Sequence, residues 1–283
     1  MNHNAGGAVE APSGKDAAYE NFPVGSFLLP AALRPHVAVF YAYARAIDDI
    51  ADSADLPAEE KIARLDAFAR VIGGEAPASD GFEKAQAIRR TLVATGISPQ
   101  HCLDLISAFK HDAVKGRYAD WPDLIDYCDR SAAPVGRFLI DLHGGSRSGY
   151  GAADALCNAL QVINHLQDCQ DDYRTLNRVY LPGDWVEREQ ARIDDLDRQA
   201  STPALRRVID RCLDGIEALL TDAGALPAGL RSRRLAMESA AILGIAKSLT
   251  RRLRHQDPLA RRVQLGKTEF LFSCVRGVVV QFL

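Results

Sequence analysis

The chain has 283 residues, 47% hydrophobic and 25% charged, with a formal net charge of -3. This composition is typical of a globular protein with a large core, and it excludes a small domain that depends on disulfides for stability. The six cysteines form no C-x-x-C pair and no zinc-site spacing, so we expect reduced thiols in a cytoplasmic protein. Residues 1–16 lack the pattern of a signal peptide. We expect them to be a disordered leader before a single domain at 17–283.

Capping residues and prolines mark the starts of helices along the chain. Ser98-Pro99, Thr202-Pro203 and Asp257-Pro258 each place a side-chain acceptor before a proline that suits the first helical turn. About eight to ten helices are predicted, near residues 31–53, 57–73, 80–95, 98–117, 122–143, 150–175, 184–190, 203–223, 227–255 and 258–282. Alternating strand patterns are almost absent. The fold class is therefore predicted to be all-α.

Two acidic segments, at residues 41–55 and 161–182, have a helical period. At about 100° per residue, one face of the first helix, about 60° wide, holds Tyr41, Arg45, Asp48 and Asp52. One face of the second helix holds Gln161, Asn164, Asp168 and Asp172. The same kind of polar stripe thus occurs twice, over 100 residues apart.

Each stripe has a functional and a structural interpretation. Like charges one turn apart destabilise a helix by about 0.2–0.5 kcal/mol, so the stripes are unfavourable for the helices themselves. The functional interpretation is a site for Mg²⁺, which prefers oxygen ligands and commonly binds carboxylates together with substrate phosphate oxygens. The alternative is a solvated helix face. Arg45 is likewise open to two interpretations, because it is placed either to bind phosphate or to form an i,i+3 salt bridge with Asp48.

Basic residues are concentrated near the C terminus. Residues 231–276 hold eleven Lys or Arg against three acids and carry +8. This asymmetry predicts an anionic partner, either a phosphate group or an acidic lipid surface at which the protein is peripheral on the inner membrane. No stacking platform of aromatic residues accompanies the basic residues, so we expect no nucleic acid. Six residues of this segment are equal candidates for such a contact: Arg251, Arg252, Arg254, Arg261, Arg262 and Lys267.

Together, the acidic segments resemble the two aspartate-rich motifs of squalene and phytoene synthases. The resemblance rests on DDIAD at 48–52, on Q-x-x-N-x-x-x-D-x-x-x-D at 161–172 and on NRVYLP at 177–182, and it extends from about Tyr19 onward. It implies an isoprenoid-synthase-type helical bundle around a deep apolar cavity. It also implies a prenyl diphosphate substrate and a Mg²⁺ cluster that removes the diphosphate.

The resemblance assigns roles to individual residues. The metal and diphosphate residues would be Asp48, Asp52, Asn164, Asp168 and Asp172, with Gln161 supporting them in catalysis. The substrate would be bound by Tyr41, Arg45, Arg130, Arg178 and Phe22.

Two departures from the family pattern narrow the predicted activity. Residues 19–24 read YENFPV where a His-Ser-x-Ser-Phe run is usual, and Arg130 replaces a tyrosine credited with proton handling. Both changes resemble the branch of the family that converts presqualene diphosphate to hydroxysqualene by ionisation, rearrangement and water capture.

Two other functions are compatible with the same residues. One is the condensation of two farnesyl diphosphates to presqualene diphosphate or squalene, which the retained acidic motifs permit. The other is a helical scaffold without enzymatic activity, in which the acidic faces are only solvated. Dependence on Mg²⁺ would separate the two enzymes from the scaffold.

Overall fold

Helices form nearly all of the regular structure in the computed structural model, which describes residues 28–75 and 81–282. The helices are α1 (Arg34–Asp52), α2 (Ala58–Gly73), α3 (Glu83–Thr95), α4 (Gln100–Asp112), α5 (Trp121–Ser131), α6 (Ala133–Leu142), α7 (Tyr150–Gln167), α8 (Cys169–Asp171), α9 (Gly183–Arg188), α10 (Pro203–Asp222), α11 (Leu226–Gly229), α12 (Arg233–His255) and α13 (Lys267–Phe282). The all-α prediction is confirmed. The predicted leader at 1–16, Phe22 and the YENFPV segment lie outside the described residues.

Three of the predicted helices are interrupted, and the helix predicted at 258–282 begins only at Lys267. The helix predicted at 227–255 is divided into α11 and α12 at residues 230–232. The helix predicted at 122–143 breaks at Ala132, because Pro134 has no N–H to donate and its ring disfavours a continuous helix. The helix predicted at 150–175 ends at Gln167, and the chain continues through α8 and a π-helical turn at Asp172–Leu176.

A two-stranded parallel sheet was not anticipated from the sequence. Its strands are β1 (Arg117–Tyr118) and β2 (Val179–Pro182), and β2 is fully buried. The rings of Tyr118 and Tyr180 stack with centroids 5.5 Å apart. The sheet therefore fixes the NRVYLP segment against the helices.

The central helix is α7, which packs against α5, α6, α10 and α12. A cavity lies along one side of α7 and is walled by α1, α5, α6, α11 and α12. Its apolar wall includes Phe40, Leu139, Leu156, Leu230 and Ile242. The bundle around a deep apolar cavity is thus present as predicted.

The last two long helices, α12 and α13, approach each other through glycines. A Cβ added at Gly277 would overlap the carbonyl oxygen of Ala240, and one added at Gly244 would overlap that of Ser273. Ser273 and Ser248 also hydrogen bond across the interface at 2.8 Å. Close packing without side chains at these two positions therefore holds α13 on α12.

We predict that Gly277→Ala destabilises the fold. Alanine favours a helix, but here its methyl group must separate two backbones, which costs about 1–3 kcal/mol. The melting temperature should fall by several degrees in a calorimetric or circular dichroism scan. The matched control is Gly151→Ala in α7, where nothing lies within 4 Å of the added Cβ. An unchanged or higher melting temperature for Gly277→Ala would contradict the close approach.

Candidate active site

The two acidic stripes meet at one end of the cavity. Asp48 and Asp52 come from α1, and Asp168 and Asp172 come from the end of α7 and the π-helical turn. The other predicted residues that line the same cavity are Tyr41, Arg45, Gln161, Asn164 and Arg178. Two sequence segments over 100 residues apart therefore form one polar end on a cavity whose remaining wall is mostly apolar.

Basic side chains lie beside the carboxylates of α1. Arg45 Nη1 donates to Asp48 Oδ2 at 2.9 Å, and its Nη2 donates to the Tyr41 hydroxyl at 3.2 Å. Arg178 Nη1 donates to Asp52 Oδ1 at 2.5 Å, and its Nη2 donates to the backbone oxygen of Ala51 at 3.0 Å. The i,i+3 salt bridge considered for Arg45 is present, and the same guanidinium lines the cavity.

Arginine and histidine side chains lie beside the aspartates of the second acidic segment. Arg262 lies beside Asp168, with Nε 3.0 Å from Oδ1 and with Nη2 donating to Oδ2 at 3.1 Å. His165 Nδ1 lies 4.0 Å from Asp172 Oδ2. Three of these four aspartates therefore have an arginine within 3.0 Å, and the fourth, Asp172, has a histidine 4.0 Å away.

Arg262 is the member of the C-terminal basic segment that reaches the cavity. It lies 94 residues from Asp168, so no local spacing could have selected it from the six candidates. Arg252 pairs with Glu269, and Arg254 pairs with Asp214 and Glu217. Part of the +8 segment thus ties helices together.

Arg130 does not line the cavity. Its Nη2 donates to Asp126 Oδ2 at 2.6 Å, one turn earlier on the outer side of α5. One residue further along the helix turns the chain by about 100°, and Ser131 faces the cavity instead. Arg130 is therefore not among the residues that line the cavity, and its contact with substrate stays a prediction.

A buried polar cluster beside the aspartates was missed by the sequence analysis. Tyr127 donates to Asp112 Oδ2 at 2.7 Å, and Tyr180 donates to Asp112 Oδ1 at 3.4 Å. The ring of His165 stacks on Tyr180 with centroids 3.6 Å apart. Gln161 Nε2 donates to His165 Nε2 at 3.2 Å. No motif spacing links Asp112 to Tyr180, because the contact is formed only by the fold.

Burial controls the protonation of this cluster. Desolvation, followed by the nearby Arg178, lowers the pKa of His165 to about 3, so its ring is neutral and accepts from Gln161. Desolvation raises the pKa of Asp112 to about 6, against the opposing effects of Arg178 and the Tyr127 hydroxyl. Asp112 is therefore the group of the cluster that titrates near neutral pH.

The donor set at the polar end fits Mg²⁺ held jointly with phosphate. All its acidic and amide ligands offer oxygen, which is what Mg²⁺ prefers. Within the described residues, however, no three carboxylate, histidine or cysteine groups converge on one point. Mg²⁺ commonly binds through one or two carboxylates plus substrate phosphates, so the dispersed aspartates fit that mode and do not form an all-protein cage.

Comparison with known proteins identifies the family. The squalene/phytoene synthase family matches residues 16–269. A hydroxysqualene synthase from Rhodopseudomonas palustris is 42% identical, covering 94% of this chain and 90% of its own. A second one, from Zymomonas mobilis, is 41% identical, covering 93% and 89%. The chain therefore belongs to the squalene/phytoene synthase family, as its motifs predicted.

Solved structures agree with this assignment. The squalene synthase HpnC of Alicyclobacillus acidocaldarius matches with a TM-score of 0.72 and 32% identity, covering 82% of this chain and 87% of its own. A dehydrosqualene synthase matches with a TM-score of 0.78 at 17% identity, which supports the fold. Enzymes of this family process prenyl diphosphates and are generally dependent on a divalent metal. The predicted isoprenoid-synthase-type fold is confirmed.

We predict that Asp112 makes stability fall as pH rises from about 4 to 6. Between its ordinary pKa of 3.8 and its folded value of about 6, the folded protein holds a proton that the unfolded chain has released. Unfolding then releases that proton, so rising pH favours unfolding by about 2–3 kcal/mol in total. Denaturant unfolding across this pH range, compared with Asp112→Asn, measures the difference.

The control for this experiment is Asp194→Asn, whose side chain is 74% exposed. Its stability profile should run parallel to that of the unsubstituted protein. A difference between the unsubstituted protein and Asp112→Asn that does not change with pH would show that Asp112 has no raised pKa.

Proposed function

We propose that this protein converts presqualene diphosphate to hydroxysqualene. The observation that carries the proposal is the meeting of the two aspartate stripes, with their arginines, at one end of an apolar cavity. Such a cavity suits a substrate with an anionic head and a long hydrocarbon body. The hydroxysqualene synthases at 41–42% identity over most of the chain support this branch of the family.

The polar end binds and orients the diphosphate. Arg45, Arg178 and Arg262 offer planar guanidinium groups that bind phosphate oxygens in bidentate geometry. Asp48, Asp52, Asp168, Asp172 and Asn164 would hold Mg²⁺, with Gln161 supporting them. When bound, the metal would neutralise charge on the leaving diphosphate. Asp48, Asp52 and Asp168 each pair with an arginine, and a carboxylate that held the metal would make its arginine available to bind phosphate.

The apolar wall protects the reactive hydrocarbon. When the C–O bond breaks, its electron pair leaves with the diphosphate and a carbocation remains. Phe40, Phe109 and Tyr127 line the cavity, and aromatic ring faces stabilise cations. Exclusion of bulk water lets the cation rearrange before one water forms the new C–O bond and loses a proton.

The first test is a product assay with Mg²⁺. We expect hydroxysqualene from presqualene diphosphate, at the same rate with and without NADPH, when organic extracts are read by mass spectrometry. Asp48→Asn and Asp168→Asn should each lower turnover by at least about a hundredfold, because each removes a carboxylate from the polar end. Turnover of farnesyl diphosphate would instead favour condensation.

The scaffold interpretation makes a different prediction about ligand binding. Mg²⁺ with inorganic diphosphate at a hundred times its dissociation constant should stabilise a true site by about 2.7 kcal/mol. The resulting rise in melting temperature should disappear in Asp48→Asn and Asp168→Asn. It should persist in Asp66→Asn, a partly exposed aspartate that pairs with Lys110 outside the cavity. No rise in the unsubstituted protein, together with no turnover, would favour the scaffold.

We further propose that α13 contacts an anionic membrane surface. Of the seven large apolar side chains that the described residues expose, five lie on this helix: Leu271, Phe272, Val275, Val279 and Val280. The helix belongs to the basic segment, and Lys267 and Arg276 lie on it. An exposed apolar face beside basic residues suits the interface of an anionic bilayer. Among the helices within 28–75 and 81–282, none is both long and apolar enough to cross a membrane.

Vesicle sedimentation tests this membrane contact. The protein should bind vesicles containing an anionic lipid, and binding should weaken as salt is raised. The double change Leu271→Ser and Phe272→Ser should reduce binding by at least about tenfold, because two large side chains no longer enter the lipid. The control is Val93→Ser, which removes an apolar side chain 76% exposed on α3. Binding that is unaffected by the double change would contradict the role of α13.

A further inference from the structure

Ser131 differs from three other hydroxyl residues that lie within the long helix α12. Ser239, Ser248 and Thr250 each donate to the backbone oxygen four residues earlier, at 2.8–2.9 Å. Ser131 Oγ is buried and has no hydrogen-bond partner among the described residues. The residue is only 8% exposed, and it lines the cavity.

The helix break explains why the Ser131 hydroxyl has no hydrogen-bond partner among the described residues. Ser131 is the last residue of α5, and the chain leaves helical geometry at Ala132 before α6 begins. A serine inside a helix normally satisfies its hydroxyl on the preceding turn. An unsatisfied buried hydroxyl is unfavourable, and an apolar residue would avoid this cost at the same position. Because no bond holds this hydroxyl, rotation about the Cα–Cβ bond would turn it towards a molecule inside the cavity that Ser131 lines.

The depth of Ser131 follows from its neighbours on α5, α6 and α7. Tyr127, one turn earlier, packs near His165 with ring centroids 6.0 Å apart. Gly136, further along, lies against Cys157. Ser131 follows Tyr127 by one turn on α5, about 6 Å further along the helix, and both residues line the cavity. A carbon that has just lost a diphosphate held at the polar end would lie in this part of the cavity.

We propose that the Ser131 hydroxyl holds the water molecule that captures the carbocation, which makes Ser131 the positioning residue for hydroxylation. The inference rests on the proposed function. A serine hydroxyl both donates and accepts, so it can orient a water whose lone pair faces the cation. The water oxygen forms the new C–O bond, one of its O–H bonds breaks, and the proton passes to the released diphosphate.

Capture by water competes with loss of a proton from a carbon next to the cation. Both outcomes follow the same ionisation, so their ratio reports on the water and not on the overall rate. Without a held water, the cation should end as an unhydroxylated C30 hydrocarbon. The ratio of the two products is therefore the measurement that separates positioning from a structural role.

The experiment compares Ser131→Ala with Ser239→Ala. Both serines line the cavity and are nearly fully buried, but Ser239 is satisfied by its own helix. With presqualene diphosphate and Mg²⁺, Ser131→Ala should lower the ratio of hydroxylated to unhydroxylated product at least tenfold, with diphosphate release within about threefold of the unsubstituted protein. Ser239→Ala should leave the ratio unchanged. Ser131→Thr, which keeps a hydroxyl, should retain most of the hydroxylated product.

Several results would overturn the proposal. An unchanged product ratio in Ser131→Ala would do so, as would an equal fall in Ser239→Ala. Loss of diphosphate release in Ser131→Ala with an unchanged melting temperature would assign Ser131 to ionisation instead. If the unsubstituted protein neither releases diphosphate nor forms hydroxylated product, the proposed function itself fails. Turnover with an unaltered ratio in the variant would refute only the role of Ser131.

Discussion

Mutual repulsion among the aspartates at the polar end is the constraint on which the arrangement around them depends. Like charges that share one cavity destabilise each other, and the surrounding apolar wall weakens the screening that water would supply. Arg45 offsets this repulsion from within α1, whereas Arg178 and Arg262 come from segments that are distant in the sequence. The π-helical turn and strand β2 position Arg178, and the segment after α12 positions Arg262. The aspartates can share one end of the apolar cavity because these arginines offset their repulsion.

The features that could be predicted from sequence are those with a local signal. The start of α10 followed from Thr202-Pro203, but the start predicted at Asp257-Pro258 was wrong, because α13 begins at Lys267. The two stripes followed from the helical period around Asp48 and Asp168. That these stripes face one cavity rested on the resemblance to a family, because no period within either helix encodes it. Arg262 and Asp112 carry no local signal, since each becomes part of the site only through contacts made by the folded chain.

The region around residue 130 shows why a motif position does not fix a side chain's direction. The departure from the family pattern drew attention to Arg130, but the structure turns that residue towards Asp126. Pro134 ends helical continuity just beyond it, and the neighbouring Ser131 occupies the cavity wall. The departure from the family pattern is therefore at Arg130, but the side chain on the cavity wall is that of Ser131. Only the phase of the helix distinguishes the two.

The glycine contact between α12 and α13 has a mechanical consequence. One face of α12 forms cavity wall through Leu235 and Ile242, and another holds α13 at backbone contact. Two helices joined this closely have little freedom to slide or tilt separately, because interiors packed at this density resist deformation. Any force applied to the outer face of α13 is therefore transmitted to the cavity wall across a single helix diameter. The cavity wall and the exposed apolar face of α13 are therefore separated by α12 alone.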